Sequence, residues 1–439
     1  MSTDLIERKA PVTNMRRELL ETKTRIHREM LKRMNLEVID QLSSDQVKAE
    51  IAEIAWVIMD EENIRLNYSE REEVIRQIQD EVLGLGPIEA LIADPTVTEI
   101  LVNTWKRIFV ERNGKLQLTE IQFQNDNHLR RVIDKIASSV GRRIDESSPM
   151  VDARLPDGSR VNAVIPPAAV DGPILSIRKF SVDPFVMDDL VMNKALTPHM
   201  AEFVAACIKA RVNILISGGT GTGKTTMLNA LSGFIPENER ILTIEDSAEL
   251  QLQQPHVVRL ETRPPNIEDK GEISQRDLVR NALRMRPDRI VIGEVRGGEA
   301  IDMLQAMNTG HEGSMTTIHA NTPRDALTRL EHMVGMSGAA IPALVVRQQI
   351  AAAIHVLIDI SRLSDGRRVV TSIQEITGME ENVVGIQEIF KFQKETINSA
   401  GKVIGHFRSS GIRPRVSTKI TEVGIILPDD IFDSSQLYE

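Results

Sequence analysis

The run GGTGTGKTT holds Gly218, Gly219, Thr220, Gly221, Thr222, Gly223, Lys224, Thr225 and Thr226, and within it Gly218-x4-Gly223-Lys224-Thr225 matches the P-loop pattern completely. Glycines let successive backbone N–H groups turn inward around phosphates, and the helix that follows adds its positive N-terminal end. In this pattern the lysine reaches the β- and γ-phosphates of a nucleotide, and the next hydroxyl ligates Mg²⁺. Lys224 and Thr225 hold those positions, after the apolar strand NILISGG. The chemistry on offer is that of a nucleoside triphosphate.

Cleaving a triphosphate also needs a group that orients water and another that supports the metal's shell. ILTIEDSAEL sets Glu245, Asp246 and Glu249 just beyond one strand, and RIVIGEVRGGEA sets Glu294 at the end of another. These are the strand ends at which open α/β sheets bind ligands. Gly293 stands where common P-loop enzymes carry an aspartate. His311 and His319, in NTGHEGSMTTIHANTPRDAL, read as hydrogen-bonding sensors near the phosphates. Metal ligation does not suit them, because no cysteine partner or third histidine lies nearby. Arg276, Arg280 and Arg284 are expected along one helix face behind a capping box of Ser274 and Asp277. Arg154, Arg160 and Arg178 precede the P-loop; guanidinium groups swung in from another domain would stabilise charge on the transferring phosphoryl group.

Three regions must position these groups. Residues 1–83 read as helices of a small bundle, with Val47, Ile51, Ile54 and Ile58 on one face, and Val74 or Ile75, Ile78 and Val82 on another. The segment Arg16 to Arg33 adds a stripe of Leu19, Ile26 and Met30 that continues to Met34. Residues 84–182 read as a smaller α+β domain: a strand at VTEILVN, a hairpin around Asn113-Gly114, a helix at NDNHLRRVIDKIASSVG, and strands at ARLPDGSRVNAVIPP and ILSIRKF. Ser181-Val182-Asp183-Pro184 reads as a linker. In residues 183–439, Thr197-Pro198 caps a helix, after which strands and helices alternate. That alternation predicts a RecA-like α/β domain, with a mainly parallel sheet and a C-terminal extension.

Composition limits the partners. The 439 residues are 41% hydrophobic and 26% charged, with neither an apolar run of membrane-spanning length nor a signal-peptide pattern in MSTDLIERKA. One cysteine, Cys207, excludes an internal disulfide framework. A net charge of −10 and 3% aromatic residues disfavour direct nucleic-acid binding, so a nucleic-acid translocase is the weaker alternative. A cytoplasmic protein docked on something else is expected.

Taken together, GGTGTGKTT, TIEDSAEL, the aspartate-free VIGEVRGGEA and MNTGHEGSMTTIHAN resemble the hexameric secretion ATPases that power type II and type IV secretion and type IV pili. The resemblance runs from about Leu85 to Phe432. Within that group the chain is most similar to motors of the tight-adherence (Flp) pilus, since no paired-CxxC insertion is present and EITGMEENVVGIQEIFKF continues past the histidine box. A pilus-retraction or type IV secretion ATPase remains the alternative. The resemblance implies ATP and Mg²⁺, a homohexamer, and an integral inner-membrane platform to which the motor binds peripherally from the cytoplasm. It implies Glu249, then Glu245, as the group polarising the attacking water, and Glu294 as support for Mg²⁺ through its waters. It implies His311 and His319 as reporters of γ-phosphate state, and Arg154, Arg160 and Arg178 as nucleotide contacts from the N-terminal domain, in cis or in trans.

Overall fold

Ser43 and Asn67 start two helices by the same device. Each side-chain oxygen accepts the N–H three residues on, while Gln46 or Glu70 reaches back to the cap's own N–H. The helices Ser44–Glu61 and Tyr68–Val82 bury Val47, Ile51 and Ile58 against Val74, Ile75 and Ile78, and Ile54 and Val82 are partly buried beside them. The structure, a computed structural model, describes residues 22–23, 25–30, 32–33, 43–112, 114–180, 185–265 and 270–438. Leu19, Met34, Asn113 and the expected linker at 181–184 lie outside the described residues, whereas Ile26 and Met30 are buried in the same cluster as the two helices.

The chain divides into two compact units, Met1–Phe180 and Ser181–Glu439. The helical region therefore belongs to the same unit as the α+β layer, although it keeps a hydrophobic cluster of its own. Two contacts join helices to layer. Lys135 donates to the carbonyls of Val82, Leu83 and Gly84 at 3.0, 2.9 and 2.8 Å, a cation on the negative end of the helix Tyr68–Val82. Glu81 is buried between Lys23, at 3.0 Å, and the ring of His128. Burial opposes its charge, but His128 and Lys23 prevail and hold its pKa at about 2.

The sheet of the first unit has six strands: β1 (Val97–Thr104), β2 (Arg107–Arg112), β3 (Lys115–Leu118), β4 (Met150–Arg154), β5 (Arg160–Val164) and β6 (Ile174–Arg178). Their order is β3-β2-β1-β6-β5-β4 and every pairing is antiparallel. One face packs on the helix Asp126–Ser139 through Leu129, Val132, Ile133 and Ile136; the other mixes polar side chains with Leu101, Phe109 and Leu118.

The second unit carries ten strands: β7 (Ile214–Gly218), β8 (Ile241–Glu245), β9 (Val257–Glu261), β10 (Arg289–Val295), β11 (Met315–His319), β12 (Val356–Arg362), β13 (Arg368–Glu380), β14 (Val383–Ile397), β15 (Val403–Ser409) and β16 (Leu437–Tyr438). The run β9-β8-β10-β11-β7-β12 is parallel, and β12-β13-β14-β15-β16 continues it antiparallel. Ile214 and Ile216 enter one cluster with Phe203, Leu228 and Leu231, while Leu215 enters the other with Leu304 and Leu330. The central strands are thus buried on both faces, as crossover helices require. Thr197 caps the helix Pro198–Lys209 as expected, and within it burial pushes the Cys207 thiol up. The expected parallel sheet is present; its antiparallel continuation is the addition.

Candidate functional site

The loop after β7 has the backbone its composition demands. Gly223 takes φ +97° as it hands over to the helix Lys224–Ser232. A Cβ on Gly218 would stand 2.5 Å from the Ile360 carbonyl oxygen and 2.6 Å from Thr222 Oγ1. Lys224 Nζ donates to the carbonyls of Gly218 and Gly219 at 3.0 and 2.9 Å, so the lysine lies across its own loop. Thr225 and Thr226 sit half-buried on the first helical turn, and Thr220 and Gly221 are exposed at the tip. Two braces come from strands far away in sequence. Arg368 Nε donates to the Gly221 carbonyl at 2.9 Å, and the buried Asp359 accepts from Ser217 and Thr371, each at 2.5 Å. Burial raises the pKa of Asp359, against the pull of those two hydroxyls.

The carboxylates converge on the same edge. Parallel register sets Ile292 beside Ile244, so Gly293 of β10 lies next to Glu245 of β8. A Cβ on Gly293 would come within 3.0 Å of Glu245 Cγ. The absence of an aspartate there thus has a steric reason: Glu245 already fills the space. Glu245 Oε2 accepts the backbone N–H of Glu249 at 2.7 Å and of Leu250 at 2.9 Å, while its buried Oε1 has no hydrogen-bond partner among the described residues. Burial raises the Glu245 pKa despite those donors.

Arg296 ties the cluster together. Its guanidinium donates to Glu294 at 2.6 Å and to Asp246 at 2.7 Å. Glu299 Oε1 accepts from the backbone N–H groups of Arg296 and Gly297 at 2.7 and 2.8 Å, fixing the turn that aims the arginine. Burial works against the arginine's charge, but Glu294, Asp246 and Glu249 outweigh it and raise its pKa. Sequence reasoning passed over Arg296, although its place two residues after Glu294 was a usable signal. Arg368 gave none, being 147 residues from Gly221.

The two histidines do not come together. His319 ends β11 in register with Gly218, beside the loop. His311 precedes the first residue of that strand, Met315, which pairs with Ile214 at the opposite edge of the sheet. The expectation of two sensors near the phosphates is therefore corrected for His311: a strand length of about 3.3 Å per residue separates it from the loop. The expected arginine face is also altered. The helix Gln275–Ala282 has the Ser274–Asp277 capping box, yet it ends before Arg284, and Arg276 and Arg280 share Asp302 at 2.8 and 3.4 Å.

In the first unit, Arg154 pairs across strands with Arg160, Arg160 with Arg178, and Arg178 with Glu99. Directly opposed residues share a face, so three guanidinium groups stand in a row that continues into Glu99, 3.9 Å from Arg178 Nε, and then Glu111. Among the described residues no cluster of three or more His, Cys, Asp or Glu could hold a metal, and no helix is long and apolar enough to cross a membrane.

Known proteins resemble this chain over the same span. A putative conjugal transfer protein of Mycobacterium tuberculosis is 39% identical over 318 residues, covering 71% of this chain and 90% of its own length. The type IV secretion system protein VirB11 of Bartonella henselae is 31% identical, covering 69% of this chain and 94% of its own. Among solved structures, the VirB11 ATPase of Brucella suis in complex with sulphate is 28% identical, with a TM-score of 0.37, covering 67% of this chain and 96% of that one. The model of the type II/IV secretion system protein family matches residues 81–396, and the chain belongs to that family.

Proposed function

We propose that this ATPase binds ATP at Gly218–Thr226 and works as a homohexameric motor at an inner-membrane platform, driving assembly of a tight-adherence (Flp) pilus. The observation that carries the reading is the convergence of four strand ends: β7 brings Lys224, β8 Glu245 and Glu249, β10 Glu294, and β11 His319. Lys224 leaves the carbonyls of Gly218 and Gly219 for the β- and γ-phosphates. Glu249 polarises the attacking water, and His319 hydrogen-bonds at the γ-phosphate side of the loop.

The Thr225 hydroxyl would ligate Mg²⁺ and Glu294 would support it through its waters, an all-oxygen set suited to that ion, which would supply charge neutralisation on the phosphates. The row Arg154-Arg160-Arg178 presents neighbouring guanidinium groups, whose forks match phosphate oxygens, and these are the arginines proposed to contact the nucleotide. The motor acts on the membrane through that platform, from the cytoplasmic side.

Electron microscopy of the purified protein with Mg²⁺ and an ATP analogue, paired with a phosphate-release assay, tests the motor. Rings and turnover are expected; a monomer under every nucleotide condition sinks it. The relatives in conjugal transfer and type IV secretion favour a second reading, a type IV secretion motor for conjugal transfer. Deleting the gene separates the two: loss of surface pili supports the first, and loss of DNA transfer with pili intact supports the second.

A further inference from the structure

A cavity of about 570 Å³ opens beside the carboxylate cluster, lined among others by Arg296, His319, Asp325, Arg329, His332 and Met336. One wall is the end of β11, where His319 is the register partner of Gly218, so the cavity begins one strand spacing, about 4.8 Å, from the phosphate loop. Asp325, Arg329, His332 and Met336 recur at helical spacing and form the opposite wall, along one face of the helix Pro323–Gly335. Arg296 stands between this space and Glu294.

The lining selects a small oxyanion. Arg296 is engaged by Glu294 and Asp246, whereas Arg329 is exposed with no acidic partner among the described residues. Guanidinium forks match the oxygens of phosphate, and the two imidazoles add hydrogen-bonding groups. No phenyl, phenol or indole ring lines the space, so nothing there would stack a nucleobase. At about 30 Å³ per water molecule the volume holds an ion together with its hydration shell.

We propose that this cavity receives the inorganic phosphate cleaved from ATP and holds it before release. The inference rests on ATP hydrolysis at the P-loop. Phosphate leaving the loop past His319 meets Arg296 first and Arg329 next.

The test uses the full chain, Arg329→Gln and Arg329→Lys. Quench-flow reads cleavage, a fluorescent phosphate sensor reads release, and added inorganic phosphate reads inhibition. Cleavage is expected to be unchanged in both variants, since Arg329 lies outside the hydrolytic groups. In Arg329→Gln the inhibition constant for phosphate rises about tenfold and the lag between cleavage and release shortens, with Arg329→Lys intermediate. Radiolabelled phosphate binding to the ADP-loaded protein should weaken in parallel. Unchanged inhibition and lag alongside normal cleavage overturn this inference alone. Unchanged inhibition with loss of the oligomer, read by mass photometry, also overturns it and assigns the cavity to a second copy of the chain. A wild-type chain that cleaves no ATP overturns the hydrolytic reading itself, and this inference with it.

Discussion

The two sheets gather charge by different means. In the first unit, antiparallel register lines up Arg154, Arg160 and Arg178 on neighbouring strands, with Arg160 and Arg178 exposed and Arg154 half-buried. In the second, parallel strands all end at one edge, and crossover connections bring Lys224, Glu245, Glu294 and His319 there from well-separated stretches of chain. At that edge Arg296 bridges Glu294 and Asp246 and Lys224 donates to its own loop, while Glu245 Oε1 is buried without a hydrogen-bond partner among the described residues. Antiparallel register thus gathers like charges, and parallel strand ends gather unlike ones.

Substitutions should separate the two regions. Lys224→Ala should weaken ATP binding by about a hundredfold or more in a fluorescent-nucleotide titration, because the lysine is the group that reaches the β- and γ-phosphates. Glu249→Gln and Glu294→Gln should keep binding while steady-state phosphate release falls about a hundredfold. Near-normal release from both would remove these residues from the chemistry. Arg160→Gln should lower turnover about tenfold while leaving the melting temperature unchanged, as expected of a nucleotide contact. Equal losses of turnover and stability would make the row structural.

Gly293→Asp should cost about 1–3 kcal/mol in denaturant unfolding, since the new side chain competes for the space of Glu245. An unchanged midpoint would mean that Glu245 swings away freely. The smallest expected effect is on pH dependence. His355 is held neutral by burial, aided by Lys419 and opposed by Glu312, with its pKa lowered from 6.5 to about 4. The unfolded chain binds more protons in that interval, so stability falls as pH drops from about 6.5 towards about 4. His355→Gln should flatten that stretch of the stability curve.

Much of the phosphate edge was legible because its signals are local. The Gly218–Thr225 spacing, the Thr197-Pro198 start and the Ser274–Asp277 box each need only a few consecutive residues. Strands β7, β8 and β10 announce themselves as short apolar runs. The antiparallel hairpin of β13 and β14 does not, because register shifts break its alternation and buried residues come in pairs. Arg368 and Asp359 join the loop only through that hairpin and its neighbour, so their part was invisible in one dimension. The histidine pair misled for a related reason. Spacing along a strand says nothing about which edge each end reaches.

Arg368 begins a strand of 13 residues at the nucleotide loop, and just past that strand's far turn Arg324 and Arg347 grip the carbonyls of Val384 and Asn382 at 2.7 and 3.0 Å. The hairpin thus ties Gly221 at one end to the helices Pro323–Gly335 and Ala343–Ala353 at the other, a single mechanical link bent at its register shifts near Gln374 and Gly378.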